Sequence, residues 1–204
     1  DFITKRQISR RALVGSTDWN TPLIEDSYRQ VLGIMHARFA RGDFMLGDRP
    51  GRGDFGLYGQ LTQLVRWDPT SMAVAVDIAP KVVNWVERMD DLWWLPVEGD
   101  AEGGGGWSPL DDLDPATCDL LAECGRTYAP FLVANAAALE SGADEVVCDI
   151  VGVDGQSGEY RQAPFGYQGK CLGWLREAYT ALSDADRDRG EAVLDGTGCE
   201  QLFV

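Results

Sequence analysis

Hydrophobic positions recur along this chain mostly at helical spacing. Phe2, Ile3, Ile8, Ala12 and Leu13 form a stripe among Lys and Arg, so a first helix is expected from Phe2 to about Val14. Gly15 and the turn formers Ser16-Thr17-Asp18 end it. Thr21 reads as the cap of a second helix with Pro22 at its first position. Ile24, Tyr28, Val31, Leu32, Met35 and Phe39 share its inner face, and Arg41-Gly42 closes it. Phe55, Leu57, Tyr58, Leu61, Leu64 and Val65 predict a third helix from Arg52 to Trp67, with an apolar face broad enough for a buried central element. Asp68-Pro69 reads as a turn. Pro80 opens a fourth helix whose Val82, Val83, Trp85, Val86, Met89 and Trp93 are expected inside, and Trp93-Trp94-Leu95-Pro96 closes it. Four such helices on short connections predict an antiparallel bundle.

The pattern changes after residue 96. Glu98 to Trp107 holds four consecutive glycines, Gly103–Gly106, with acidic flanks. Without a following Lys or a dinucleotide fingerprint it reads as a flexible connector and not as a phosphate cradle. Leu113-Asp114-Pro115 starts a long helix that runs to about Glu140 and stops at Ser141-Gly142. The β-branched run Glu145–Val151, the turn material Asp154–Gly158 and the return Glu159-Tyr160-Arg161 predict a hairpin. A last amphipathic helix spans Tyr167–Tyr179 and carries Leu172, Leu175 and Tyr179; a shorter one, capped by Ser183, runs to Leu194. The tail from Gly196 is expected to dock. The chain is therefore mainly α: a bundle over 1–96, an acidic glycine-rich connector over 97–108, and a helix–hairpin–helix extension over 109–204 packed on the same bundle.

Composition narrows the function classes. The 204 residues carry a net charge of −15, which opposes binding of nucleic acid or anionic lipid by the chain as a whole. Residues 1–54 hold nine Lys and Arg against seven Asp and Glu, whereas the rest hold nine against twenty-six. Lys5, Arg6, Arg10 and Arg11 are the one basic cluster. No apolar run is long enough to span a membrane. The five cysteines, Cys118, Cys124, Cys148, Cys171 and Cys199, show no CxxC spacing and stand far from the lone His36, so neither a zinc site nor a disulfide framework is expected. They read as free thiols of a cytoplasmic protein. Two Arg-Gly-Asp tripeptides, at 41–43 and 52–54, sit at helix ends and not on a free loop. The acidic runs Asp90-Asp91, Asp111-Asp112 and Asp184/Asp186/Asp188 lack calcium-loop spacing and read as solvated surface.

The most specific signal is Phe44-Met45-Leu46-Gly47-Asp48-Arg49-Pro50-Gly51-Arg52-Gly53-Asp54. Gly51 is placed as a helix N-cap and Asp54 as the third helical residue, where a carboxylate reaches back to the cap amide. The run resembles the signature of the glutathione S-transferase C-terminal helical domain, in which a loop ending Gly-(Asp/Asn)-x-Pro leads into Ser/Thr-x-x-Asp. The turn at Asp68-Pro69 and the segment Ala79-Pro80-Lys81-Val82-Val83-Asn84-Trp85-Val86-Glu87-Arg88-Met89 resemble the next part of that pattern. One departure is Gly51 in place of Ser or Thr, which forfeits one side-chain bond of the capping box for a few tenths of a kcal/mol.

The resemblance implies a glutathione S-transferase-like protein of two domains. A thioredoxin-fold domain would bind glutathione, the co-substrate, and activate its thiol. The helical domain would form the wall for a small electrophilic substrate. No βαβ–ββα pattern lies in this chain, so transferase activity is not expected of these 204 residues alone. Arg6, Arg10, Arg11 and Tyr58 are the candidate substrate-wall residues, Gly51 and Asp54 the capping pair; no catalytic residue and no metal ligand is assigned. A homodimer is a further implication. The alternative is a non-catalytic helical interaction or scaffolding module.

Overall fold

In a computed structural model the chain is described over residues 2–92, 105–152 and 154–204. It is mostly helical, with one two-stranded antiparallel sheet among the described residues. Two compact units emerge, one from Asp1–Tyr28 with Leu121–Val204 and the other from Arg29–Leu120. The glycine-rich connector falls within the second unit; residues 93–104, and with them the expected contribution of Trp93, lie outside the described residues.

The second unit holds most of helix α2 (Thr21–Phe39), then α3 (Arg52–Leu61), α4 (Pro69–Ile78), α5 (Pro80–Met89) and the first residues of α6 (Pro115–Ser141). Its core is Leu32, Met35, Phe44, Val65, Val82, Trp85 and Val86, all fully or almost fully buried. Phe39 stacks on Trp85 with ring centroids 4.6 Å apart. Two expectations need correction here. Asp68-Pro69 is not a simple turn: the Asp68 carboxylate accepts from the amides of Thr70 and Ser71 (3.0 and 2.8 Å) and caps α4, with Pro69 in its first turn. These bonds, the Ser71 amide foremost, hold the Asp68 carboxyl below its ordinary pKa. Nor is α3 a solvent-shielded central helix. Asp54 and Leu61 are its buried residues and Phe55 is 51% exposed, so α3 covers the core with one face. The expected helix does continue to Trp67, but Thr62–Trp67 widens to π-helical bonding, with the Asp68 amide reaching the Gln63 carbonyl at 2.9 Å.

The first unit contains α1 (Phe2–Arg10), a 3₁₀ turn over Arg11–Val14, the start of α2, the rest of α6, strands β1 (Val146–Val151) and β2 (Ser157–Gln162), α7 (Gly166–Thr180) and α8 (Asp184–Leu194). The hairpin pairs Val146 with Gln162, Cys148 with Tyr160 and Ile150 with Gly158. Alternation sends Val146, Ile150 and Tyr160 inward, against Ala129, Phe131, Leu132 and Leu172. Two buried amides fix the connections. Asn20 donates to the carbonyls of Gly15 and Arg161 (both 2.8 Å), and Asn135 brackets the backbone of Phe165 just before α7. Ser183 caps α8 through the Asp186 amide as expected, and the tail docks with Cys199 and Leu202 buried. The stripe of α1 is not a core face: Phe2, Ile3 and Ile8 are 80, 69 and 58% exposed, and no residue of the helix is buried. On α7, Leu172 is buried but Leu175 is exposed.

Candidate functional site

The loop from Phe44 to Gly51 is built around one carboxylate. Asp54, 1% exposed, accepts from the Gly51 amide at 2.8 Å and from the Met45 amide at 2.9 Å. The first bond is half of a capping box; Gly51 has no side chain to supply the other half. The second ties the loop's beginning to the helix that follows it. Burial pushes the Asp54 carboxyl above its ordinary pKa, against those two amides and the nearby Arg38 guanidinium. The Met45 carbonyl in turn accepts from Thr117 Oγ1 (2.7 Å) and Arg38 Nε (3.3 Å).

The end of the glycine-rich segment closes over this loop. Asp48 donates its amide to the Gly106 carbonyl (2.7 Å), Ser108 donates to Leu46 (2.8 Å), and the Arg49 guanidinium lies 5.0 Å from the Trp107 ring. Gly47 adopts a φ of 133°, and a Cβ there would stand 2.2 Å from the Gly106 carbonyl oxygen, so this position requires glycine. Residues 105–108 are therefore a docked segment and not a free connector. Beside them is a polar cavity of about 590 Å³, lined by Arg38, Arg41, Asp48, Trp107 and Asp114 among others. Arg41 grips Asp114 through two bonds of 2.6 and 2.8 Å and lowers its pKa to about 2. Asp114 also caps α6 through the Ala116 amide (2.9 Å). Arg38, Arg41 and Asp114 thus each have a structural partner in this cavity.

Of the residues expected at a substrate wall, Arg6, Arg10 and Arg11 stand together on α1 and its 3₁₀ extension, exposed, in the first unit. Tyr58 is on α3, in the second unit. Its hydroxyl donates to Asp90 at 2.5 Å, and Arg66 holds the other Asp90 oxygen at 2.9 Å. That bond raises the Tyr58 pKa and lowers that of Asp90. Both Arg-Gly-Asp copies are committed to structure: Arg41 to Asp114, Asp43 to Arg88 and Asp54 to its cap.

His36 and three of the five thiols are likewise occupied or quiet. His36 Nδ1 accepts the Lys81 amide at 3.4 Å. Burial pushes the Cys124 and Cys148 thiols up to about 11 and raises Cys199 as well, which suppresses the thiolate. Among the described residues no three His, Cys, Asp or Glu side chains could hold a metal together, and no helix is long and apolar enough to cross a membrane. Sequence reasoning missed Arg38, Thr117 and the Arg49–Trp107 contact, none of which carries a local signal. In comparisons with known proteins, no family model, no curated protein and no solved structure matches the chain.

Proposed function

We propose that the chain is the helical, electrophile-side half of a glutathione S-transferase-like protein, inactive without a thioredoxin-fold domain. The observation that carries this reading is the buried Asp54 in the first turn of α3, holding the Gly51 and Met45 amides of the loop before it. That is the structural role the resembled motif gives its aspartate. The sole sheet among the described residues is a hairpin, which fits the assignment of glutathione binding to another domain.

The chemistry would be thiolate addition. A thiol near its ordinary pKa of about 8.5 is mostly protonated at neutral pH, so its activation belongs to the thioredoxin-like half. Arg6, Arg10 and Arg11 would offer a positive wall favouring the tripeptide's net negative charge. Tyr58, whose proton is committed to Asp90, would offer its ring to the electrophile. With a chloronitroaromatic electrophile the sulfur–carbon bond forms, the carbon–chlorine bond breaks and chloride leaves. The test is conjugation of glutathione to that electrophile by the product of the full reading frame and by residues 1–204 alone. The first is expected to turn over and the second to stay at the uncatalysed background. Turnover by the 204 residues alone would overturn the assignment.

A second reading, a non-catalytic helical interaction module, is favoured by one observation: the exposed apolar side chains of α1. A folded full-length protein without conjugating activity would favour it over the first.

A further inference from the structure

A cleft of the first unit lies between residues 19–26 and the turn end of the hairpin, with a volume of about 790 Å³. That is the size of pockets that take small organic ligands. Its apolar side is formed by Leu23, Pro22 and the buried Ile150. Trp19 stands in the lining, 64% exposed, and its Nε1–H donates to the Glu159 carbonyl at 2.8 Å, so the indole is held in place.

The charged groups in and around the cleft are mostly negative. Asp26, Asp154 and Glu159 line it, and no Lys or Arg does so. Two guanidinium groups stand behind them, each shared. Arg126 lies 3.8 Å from Asp26 but spends its bonds on Glu123 and the Val151 carbonyl, and Arg161 bonds Glu159 at 2.5 Å while lying 3.8 Å from Glu145. Five carboxylates thus face two cations. The Asp154 carboxylate accepts the Gln156 amide at 3.0 Å, with no cation within ion-pair distance among the described residues. The indole face is already used by a positive charge, since the Arg161 guanidinium carbon lies 5.8 Å from the Trp19 ring.

We propose that this cleft binds an organic ammonium ion carrying an apolar body. The apolar body would lie on Leu23, Pro22 and Ile150, with the cation between the Trp19 face and the carboxylates of Asp26 and Asp154. An anion of the same shape is repelled, and a neutral analogue loses the charge contribution. The proposal uses neither glutathione nor the α1 arginines, so its failure and that of the transferase reading are distinguishable.

Three isosteric probes test it: phenethylammonium, 2-phenylethanol and 3-phenylpropanoate, titrated into the 204-residue chain with binding read by NMR. Phenethylammonium is expected to bind at least about tenfold more tightly than 3-phenylpropanoate, with the alcohol between them. Trp19→Ala should weaken the cation about tenfold, while Trp19→Phe, which keeps an aromatic face, should weaken it less than about threefold. Asp154→Asn, which preserves an acceptor for the Gln156 amide, should weaken it about threefold and reduce its salt dependence. Equal binding of the three probes, no saturable binding of the cation, or an affinity unchanged by Trp19→Ala in a folded variant would overturn the proposal.

Discussion

Asp54→Ala is expected to cost about 3 kcal/mol of stability and to lower the melting temperature by roughly 9 °C. The substitution removes the acceptor of two buried amides, those of Gly51 and Met45. Loss of a helix cap alone is worth about 1 kcal/mol, so the larger figure rests on the second bond, which ties the loop to the helix. Asp54→Asn keeps one carbonyl oxygen and should fall between the two. The pH dependence follows from burial, which raises the Asp54 pKa. Between the ordinary carboxylate value and the raised one the native state holds more protons than the unfolded chain, so this group's contribution to stability falls as pH rises through that window. Wild type should therefore gain on Asp54→Asn as the pH is lowered through it. Denaturant titrations over a pH series check both points. An Asp54→Ala variant within about 0.5 kcal/mol of wild type would show that the carboxylate does not organise the loop.

Gly125→Ala should destabilise the protein by about 2–4 kcal/mol, although intrinsic helix propensity alone favours Ala over Gly by about 1 kcal/mol. Gly125 lies inside α6, where a Cβ would stand 2.0 Å from the Thr197 carbonyl oxygen and 2.8 Å from the Cys199 nitrogen. Those are backbone atoms and cannot rotate away. The tail must then lift, exposing Cys199 and Leu202, and burying each apolar side chain of that size is worth about 1.5–3 kcal/mol. Gly173→Ala on α7 is the control: nothing lies within 4 Å of its added carbon, and a gain of up to about 1 kcal/mol is expected. Thermal unfolding of the two variants, with thiol-reagent labelling of Cys199, reads stability and tail release separately. Equal stabilisation by both substitutions would contradict the docked tail.

These cases mark what local sequence can reveal. Helix starts are local events, and those at Ser183, Asp114 and Asp54 were legible because a side chain reaches an amide two or three residues away, forward from Ser183 and Asp114 and back from Asp54. The hairpin was legible from alternation and turn residues. Helix α4 escaped because Met72–Val76 is almost uniformly apolar, with no period to separate a face, and because Asp-Pro signals a turn and a helix start alike. Burial was less legible still. Phe55 and the stripe of α1 have the spacing of core residues, yet what covers a helix face is decided by distant segments. Arg38 looks like any surface arginine in the sequence; it is buried because the loop after α2 returns its Met45 carbonyl to it. The Trp19 cleft is assembled by residues 140 positions apart and leaves no local trace.

The functional account stands or falls on where glutathione binds. Equilibrium titration of glutathione into the product of the full reading frame and into residues 1–204 alone tests it most directly. Saturable binding is expected of the former and none of the latter. Binding by the 204 residues alone, or by neither, would contradict it.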